Sequence, residues 1–159
     1  MEIQKKLVNL CAALNRAGIK YVVVGGCAVI LHGYFRTTHD IDLLVEPSLE
    51  NIRRLKNALY AFLGSDEVFD IRDDDIMRYA VVRFAPESET VAIDLIGKIG
   101  KITFETTTND IEEVEIEGIR IPLCGLTTLI ETKKGVRAKD KGDLLFPWGK
   151  KEYIEREHK

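Results

Sequence analysis

A chain of 159 residues, 45% of them hydrophobic, has the length of one domain and can bury a proper core. Its 31% of charged residues nets only −3, which argues against broad nonspecific binding to nucleic acid while leaving room for a local basic patch. No apolar run approaches the roughly 20 residues that span a bilayer, and the amphipathic start lacks a signal-peptide core.

Ile3, Leu7, Leu10 and Leu14 recur at helical spacing over residues 2–17, and Gly18 stands where a helix stop belongs. Tyr21–Val24 predicts a short buried strand, and Cys27–Leu31 a short helix ending near Gly33. Asp40–Val45 predicts a second strand. Pro47 and Ser48 open a helix with Ile52, Leu55, Leu59 and Phe62 on one face, closed by Gly64. Val68–Asp75 reads as part strand, part acidic loop. Tyr79–Phe84 and Thr90–Ile96 flank Pro86-Glu87-Ser88 as a hairpin. Glu113–Ile116 and Ile119–Leu123 flank Glu117-Gly118 as another. Leu126 to about Leu145 is helical, and a last charged helix follows Pro147.

No repeat, low-complexity tract or linker divides the chain. The expectation is one domain over 1–159, a core over about 1–124 and a helical C-terminal element over about 125–159. This order of elements predicts an α/β (α+β) fold, a mixed sheet with helices packed against it. Cys11, Cys27 and Cys124 are odd in number with no C-x-x-C spacing. They read as reduced thiols of a cytoplasmic protein rather than as disulfides or zinc ligands.

The chemistry gathers between Tyr21 and Val45. Side chains alternate along a strand, so Asp40 and Asp42 share one face, roughly 7 Å apart, while Ile41 enters the core. Two carboxylates at that spacing can share a pair of divalent cations about 3.5–4 Å apart. Acids packed so closely repel each other, and a bound cation removes that cost. The Gly25-Gly26 turn supplies backbone N–H groups and a helix N-terminus, which together suit a phosphate. The bland alternatives are an exposed D-x-D that binds nothing and a tight turn without a phosphate. Asp94 is one acid in the apolar run Val91–Ile96, costly to bury without a metal, a basic partner or hydrogen bonds. Asp70 and Asp73-Asp74-Asp75 rank below it, since adjacent acids more often form a solvated loop. Arg36 has the charge for a phosphate or for a surface ion pair. Thr37 and Thr38 offer hydroxyls or cap the strand entry. His39 falls on the opposite strand face from Asp40, and His32 reads as a structural residue; neither has ligand spacing with a cysteine. Lys133 and Arg137 share a helical face, in a charge run that a solvated helix would also show.

The residues Val24-Gly25-Gly26, Ala28, His32-Gly33, Arg36-Thr37-Thr38 and Asp40 to Leu43 resemble the signature VGG-x-A-x-x-x-H-G-x-x-R-T-T-x-D-I-D-L. It marks small bacterial proteins of the nucleotidyltransferase superfamily of DNA polymerase β. Glu131 to Leu145 resembles the K-x-x-x-R-x-K-D-x-x-D-L element of AbiE-type and related bacterial nucleotidyltransferases. The resemblance implies a polymerase β-like fold and Mg²⁺-dependent transfer from a nucleoside triphosphate, with two ions and Mn²⁺ as a substitute. It makes Asp40, Asp42 and Asp94 the metal-binding and catalytic residues, the third carboxylate being expected on a neighbouring strand. It assigns Gly25, Gly26, Arg36, Thr38, Lys133 and Asp140 to the nucleotide. Many members carry Gly-Ser where this chain has Gly25-Gly26, so phosphate binding here would lean on backbone amides and basic side chains. The acceptor stays open between RNA, protein and small molecule. The short helical tail implies a homodimer, a partner protein or a small acceptor, and the AbiE likeness adds a toxin-like role. The alternatives are a catalytically degenerate nucleotide-binding or toxin–antitoxin partner module and, third, a metal-dependent phosphohydrolase. Asp94 beside Asp40 and Asp42 on one face would favour catalysis.

Overall fold

In the computed structural model, which describes residues 2–134, the apolar runs assemble into a six-stranded mixed sheet. In chain order the elements are α1 (Glu2–Arg16), β1 (Tyr21–Val24), α2 (Gly25–Leu31), β2 (Asp40–Val45), α3 (Leu49–Leu63), a 3₁₀ turn (Asp66–Asp70), α4 (Asp75–Arg78) and β3 (Val82–Phe84). Then come β4 (Ala92–Ile96), β5 (Lys98–Ile99), β6 (Ile102–Thr103), α5 (Phe104–Thr107), β7 (Ile111–Ile116), β8 (Ile119–Cys124) and α6 (Leu126–Lys134). The sheet order is β3-β4-β2-β1-β8-β7. β1 runs antiparallel to β2 and parallel to β8, β2 parallel to β4, and the pairs β3–β4 and β7–β8 are hairpins. The fold is the mixed α/β arrangement that the order of elements predicts.

Local chemistry explains the elements that frame the site. All four residues of β1 are buried, so this strand is covered on both faces of the sheet. Ser48 caps α3 by accepting from Asn51 N, and Gly64 closes it at φ +72°. The buried Asn51 side chain accepts from Lys20 N and donates to Lys20 O and Glu46 O. It thereby ties α3 to the start of β1 and the end of β2. Leu7, Leu10 and Leu14 of α1 are buried, and this helix packs on α3 and β8. The helices fix one end of β1 and β2, and the other end carries Gly25 and the aspartates.

Several boundaries differ from the sequence reading. α2 begins at Gly25 rather than Cys27. Val68–Asp75 holds no strand: the 3₁₀ turn and the start of α4 occupy it, with Val68 and Ile76 as buried anchors. β3 is shorter than Tyr79–Phe84, and Tyr79 and Val81 are exposed. β5, β6 and α5 are too short to show a period in the sequence. The expected helix from Leu126 is described as far as Lys134; its continuation and the helix after Pro147 lie outside the described residues. Among the described residues no helix is long and apolar enough to cross a membrane.

All three cysteines are free and buried. Burial pushes the Cys11 thiol up to about 11 and the Cys27 thiol up to about 12, from 9.0. The folded chain keeps protons that the unfolded chain releases near pH 9.0. The stability these groups lend is therefore whole below pH 9 and is lost as the pH climbs toward 11 and 12. Tyr21, raised first by burial and then by Cys11, acts in the same direction. Ellman's reagent at pH 8 should find no thiol in the native protein and all three in guanidinium chloride. The melting temperature should fall by several degrees between pH 8.5 and 11. Rapid native labelling of Cys27 would contradict its burial.

Candidate functional site

The register of the sheet builds the site. β2 and β4 run parallel with Asp42 opposite Asp94 and Asp40 opposite Ala92. Neighbouring strands lie about 4.8 Å apart, so Asp42 and Asp94 are lateral neighbours and Asp40 sits one pleat away on the same face. Ile41, Ile93, Leu43 and Leu95 fill the other face and are fully buried. That burial holds the aspartates to their side of the sheet.

Arg83 joins them from β3, where it stands opposite Asp94. Its Nη2 donates to Asp40 Oδ2 at 3.0 Å and to Asp94 Oδ2 at 3.1 Å. Its Nε approaches Asp94 Oδ1 at 3.0 Å, but off the N–H direction, and that buried oxygen takes no hydrogen bond. The pair is lopsided: the Asp94 side chain is 9% exposed and that of Arg83 54%. Asp94 first, then Asp40, holds the guanidinium still more firmly in its charged form.

On the other side of β2 lies the glycine turn. Gly25 has φ +68°, and a Cβ there would fall 2.8 Å from Asp42 Cγ and 2.9 Å from Asp42 Cβ. Backbone and carboxylate approach each other here as only glycine permits. A Cβ on Gly26 would fall 2.8 Å from Thr38 Oγ1 and 3.7 Å from Arg36 Cζ. The Thr38 hydroxyl thus stands where a serine at position 26 would project, which is a physical reason for Gly-Gly in this chain. Thr38 Oγ1 also donates to Asp40 O at 3.2 Å, and Cys27 Sγ reaches the same carbonyl at 3.6 Å. A cleft of about 270 Å³ opens beside Arg36, Thr37, Thr38, His39 and Thr90.

The structure therefore brings Asp40, Asp42, Asp94, Gly25, Gly26, Arg36 and Thr38 to one end of the sheet. Lys133 lies in the last turn of α6, a helix that packs against α2, and Asp140 lies outside the described residues. His32 Nε2 meets Cys124 O at 2.8 Å, a structural tie between α2 and β8. Asp73 pairs with Lys56 and Arg53 at 2.7 and 3.1 Å, Asp74 with Arg78 at 3.8 Å, and Asp75 accepts from Arg72 N. Lys56 and then Arg53 hold the Asp73 carboxyl below its usual range. The acidic run is a solvated, locally paired segment.

Three carboxylates make a hard oxygen set of the kind that Mg²⁺ and Mn²⁺ favour. Asp94 Oδ1, buried without a hydrogen bond, is an acceptor that such an ion would satisfy. As positioned, though, no three His, Cys, Asp or Glu side chains among the described residues are gathered tightly enough to enclose a metal ion. The Arg83 guanidinium stands between Asp40 and Asp94 instead. Arg83 is the functional candidate that sequence reasoning missed. Its signal was faint: a lone cation between Val82 and Phe84 in a strand expected to pair with the one bearing Asp94.

Residues 3–146 match the family profile described as a nucleotidyl transferase of unknown function (DUF2204). Among solved structures, the fold is similar to a Thermotoga maritima protein provisionally assigned as a nucleotidyltransferase, with a TM-score of 0.54. The two share 17% identity over 82% of this chain and 81% of that one, a likeness that speaks for the fold alone. No curated protein matches the chain.

Proposed function

Because the chain belongs to this nucleotidyl transferase family, we propose that it moves a nucleoside monophosphate from a nucleoside triphosphate to an acceptor hydroxyl, with release of pyrophosphate. The observation that supports this best is the pairing of Asp42 with Asp94 across β2 and β4, with Asp40 on the same face. Asp40, Asp42 and Asp94 would hold Mg²⁺, two ions with Mn²⁺ as a substitute, and such ions neutralise charge on the attacking and leaving oxygens of an in-line displacement. Gly25 and Gly26 would offer their backbone N–H groups at the start of α2 to the phosphates. The Thr38 hydroxyl stands where a side chain at position 26 would project, and Arg36 brings a guanidinium beside it. Lys133 and Asp140 are assigned to the nucleotide by their motif. Asp94, the most enclosed of the three acids, is the acceptor proposed for the proton of the attacking hydroxyl. RNA, protein and small molecules are all candidate acceptors, met by the chain alone, by a homodimer or with a partner protein, in a reducing cytoplasmic setting.

One observation favours a second reading, a nucleotide-binding module without transfer. Arg83 already neutralises Asp40 and Asp94 without a metal. Incubating the protein with Mg²⁺, each α-labelled nucleoside triphosphate and a cell extract, beside Asp42→Asn, separates the two. Label carried to RNA, protein or a small molecule by wild type alone supports transfer and reveals the acceptor class. No label with any nucleotide would favour the binding module.

A further inference from the structure

One guanidinium nitrogen bridges two acids, standing 3.0 Å from Asp40 Oδ2 and 3.1 Å from Asp94 Oδ2. Mg²⁺ asks for oxygens at roughly 2.1 Å, so a cation at that point would need each oxygen to close in by only about 1 Å. Given the metal reading above, on which this rests, we propose that Arg83 is a built-in counter-ion. It occupies the cation's place between Asp40 and Asp94 and must swing out before a divalent ion can enter.

The two cannot share the position. A guanidinium within contact distance of a divalent ion is repelled by it, and each carboxylate oxygen turned to one is lost to the other. The asymmetry of burial makes the arrangement an exchange. Asp94 is enclosed, with Oδ1 taking no hydrogen bond, so it needs a positive partner at all times. Arg83 is half exposed and rooted in the three-residue edge strand β3, so it can leave without burying its charge. It also lines an open groove of about 270 Å³ with Glu67, Asp70 and Asp75, where other carboxylates can receive it. The acid depends on the base more than the base on the acid. A cation must therefore displace a tethered competitor, and only the fraction of molecules with Arg83 swung out binds it, which lowers the apparent affinity by that fraction.

Titration of free Mn²⁺ by electron paramagnetic resonance, without nucleotide, tests this on wild type, Arg83→Gln and Arg83→Lys. Arg83→Gln should bind Mn²⁺ about tenfold more tightly than wild type, because the competitor is gone. Arg83→Lys should fall between them, since an ammonium keeps one charge near the carboxylates but lacks the second nitrogen that Arg83 places 3.0 Å from Asp94 Oδ1. In EDTA, Arg83→Gln should melt below wild type, and Mn²⁺ should raise its melting temperature by more. Equal Mn²⁺ affinities, or weaker binding by Arg83→Gln, would overturn the competition and leave the metal site standing. Failure of all three proteins to bind Mn²⁺ would overturn the metal site and the competition together. Should Arg83→Gln not fold, Arg83→Lys carries the same comparison.

Discussion

Asp42→Asn is expected to lower nucleotidyl transfer by about a hundredfold or more while the protein keeps its fold. The amide has the shape of the carboxylate, so the β2–β4 register and the close approach to Gly25 survive. What disappears is one negative charge beside Asp94, together with the oxygen that would face a cation. Removing it also relieves repulsion within the acidic row. Asp94→Asn should be as inactive but less stable. Arg83 would lose its charged, hydrogen-bonded partner, at a cost of about 1–2 kcal/mol, held down because the base is half exposed and can return to water. Turnover and thermal melts of both variants check this. Undiminished turnover by Asp42→Asn would remove that residue from the chemistry.

Gly25→Ala should be strongly damaging for a single methyl group. The left-handed backbone at φ +68° costs an alanine about 1–2 kcal/mol. The new Cβ also meets the root of the Asp42 side chain, at 2.8 Å from Cγ and 2.9 Å from Cβ. Those atoms are anchored in β2 and cannot swing aside like a flexible tip, so α2 and β2 must part, at a further 1–3 kcal/mol or about that. Gly18 is the internal control. It has φ +70° with nothing within 4 Å of a built Cβ, so Gly18→Ala carries the backbone cost alone. Gly25→Ala should therefore melt about 2–12 °C below Gly18→Ala and lose activity as Asp42 moves. Equal melting temperatures for the two would refute the close approach.

The elements that sequence reading recovered best are those whose boundaries are written in local chemistry. Tyr21–Val24 and Asp40–Val45 are apolar runs cut off by glycines or acids. The third helix carries both its cap, Ser48, and its stop, Gly64. Asp94 was legible because a single acid in an apolar run is costly enough to demand a reason. Arg83 was not, because its meaning lies in register. It meets Asp40 across 43 residues and Asp94 only because β3 and β4 pair with Arg83 opposite Asp94. The chain between those strands is too long for a tight turn to dictate that pairing. Likewise, Gly26 reads as a missing serine until Thr38, twelve positions on, is found against it. The segment 68–75 misled because Val68 and Ile71 serve as isolated buried anchors at a 3₁₀ turn, while Phe69 between them is exposed.

Strand order also sets a schedule for synthesis. β3, β4, β2 and β1 form one contiguous block, four of the six strands, drawn from residues 21–96 and holding all three aspartates. β1 gains its other neighbour from β8, where Val23 pairs with Leu123. A chain emerging from the ribosome at roughly 5–20 residues per second spends a few seconds with these four strands made and β8 still to come. During that interval β1 is a bare edge of four apolar, uncharged residues, the kind that recruits other strands. In the finished sheet β7 takes the outer place, with Glu112, Glu113 and Glu115 along it, and like charges there discourage pairing with another chain. The arrival of the last hairpin exchanges an edge prone to aggregation for an acidic one.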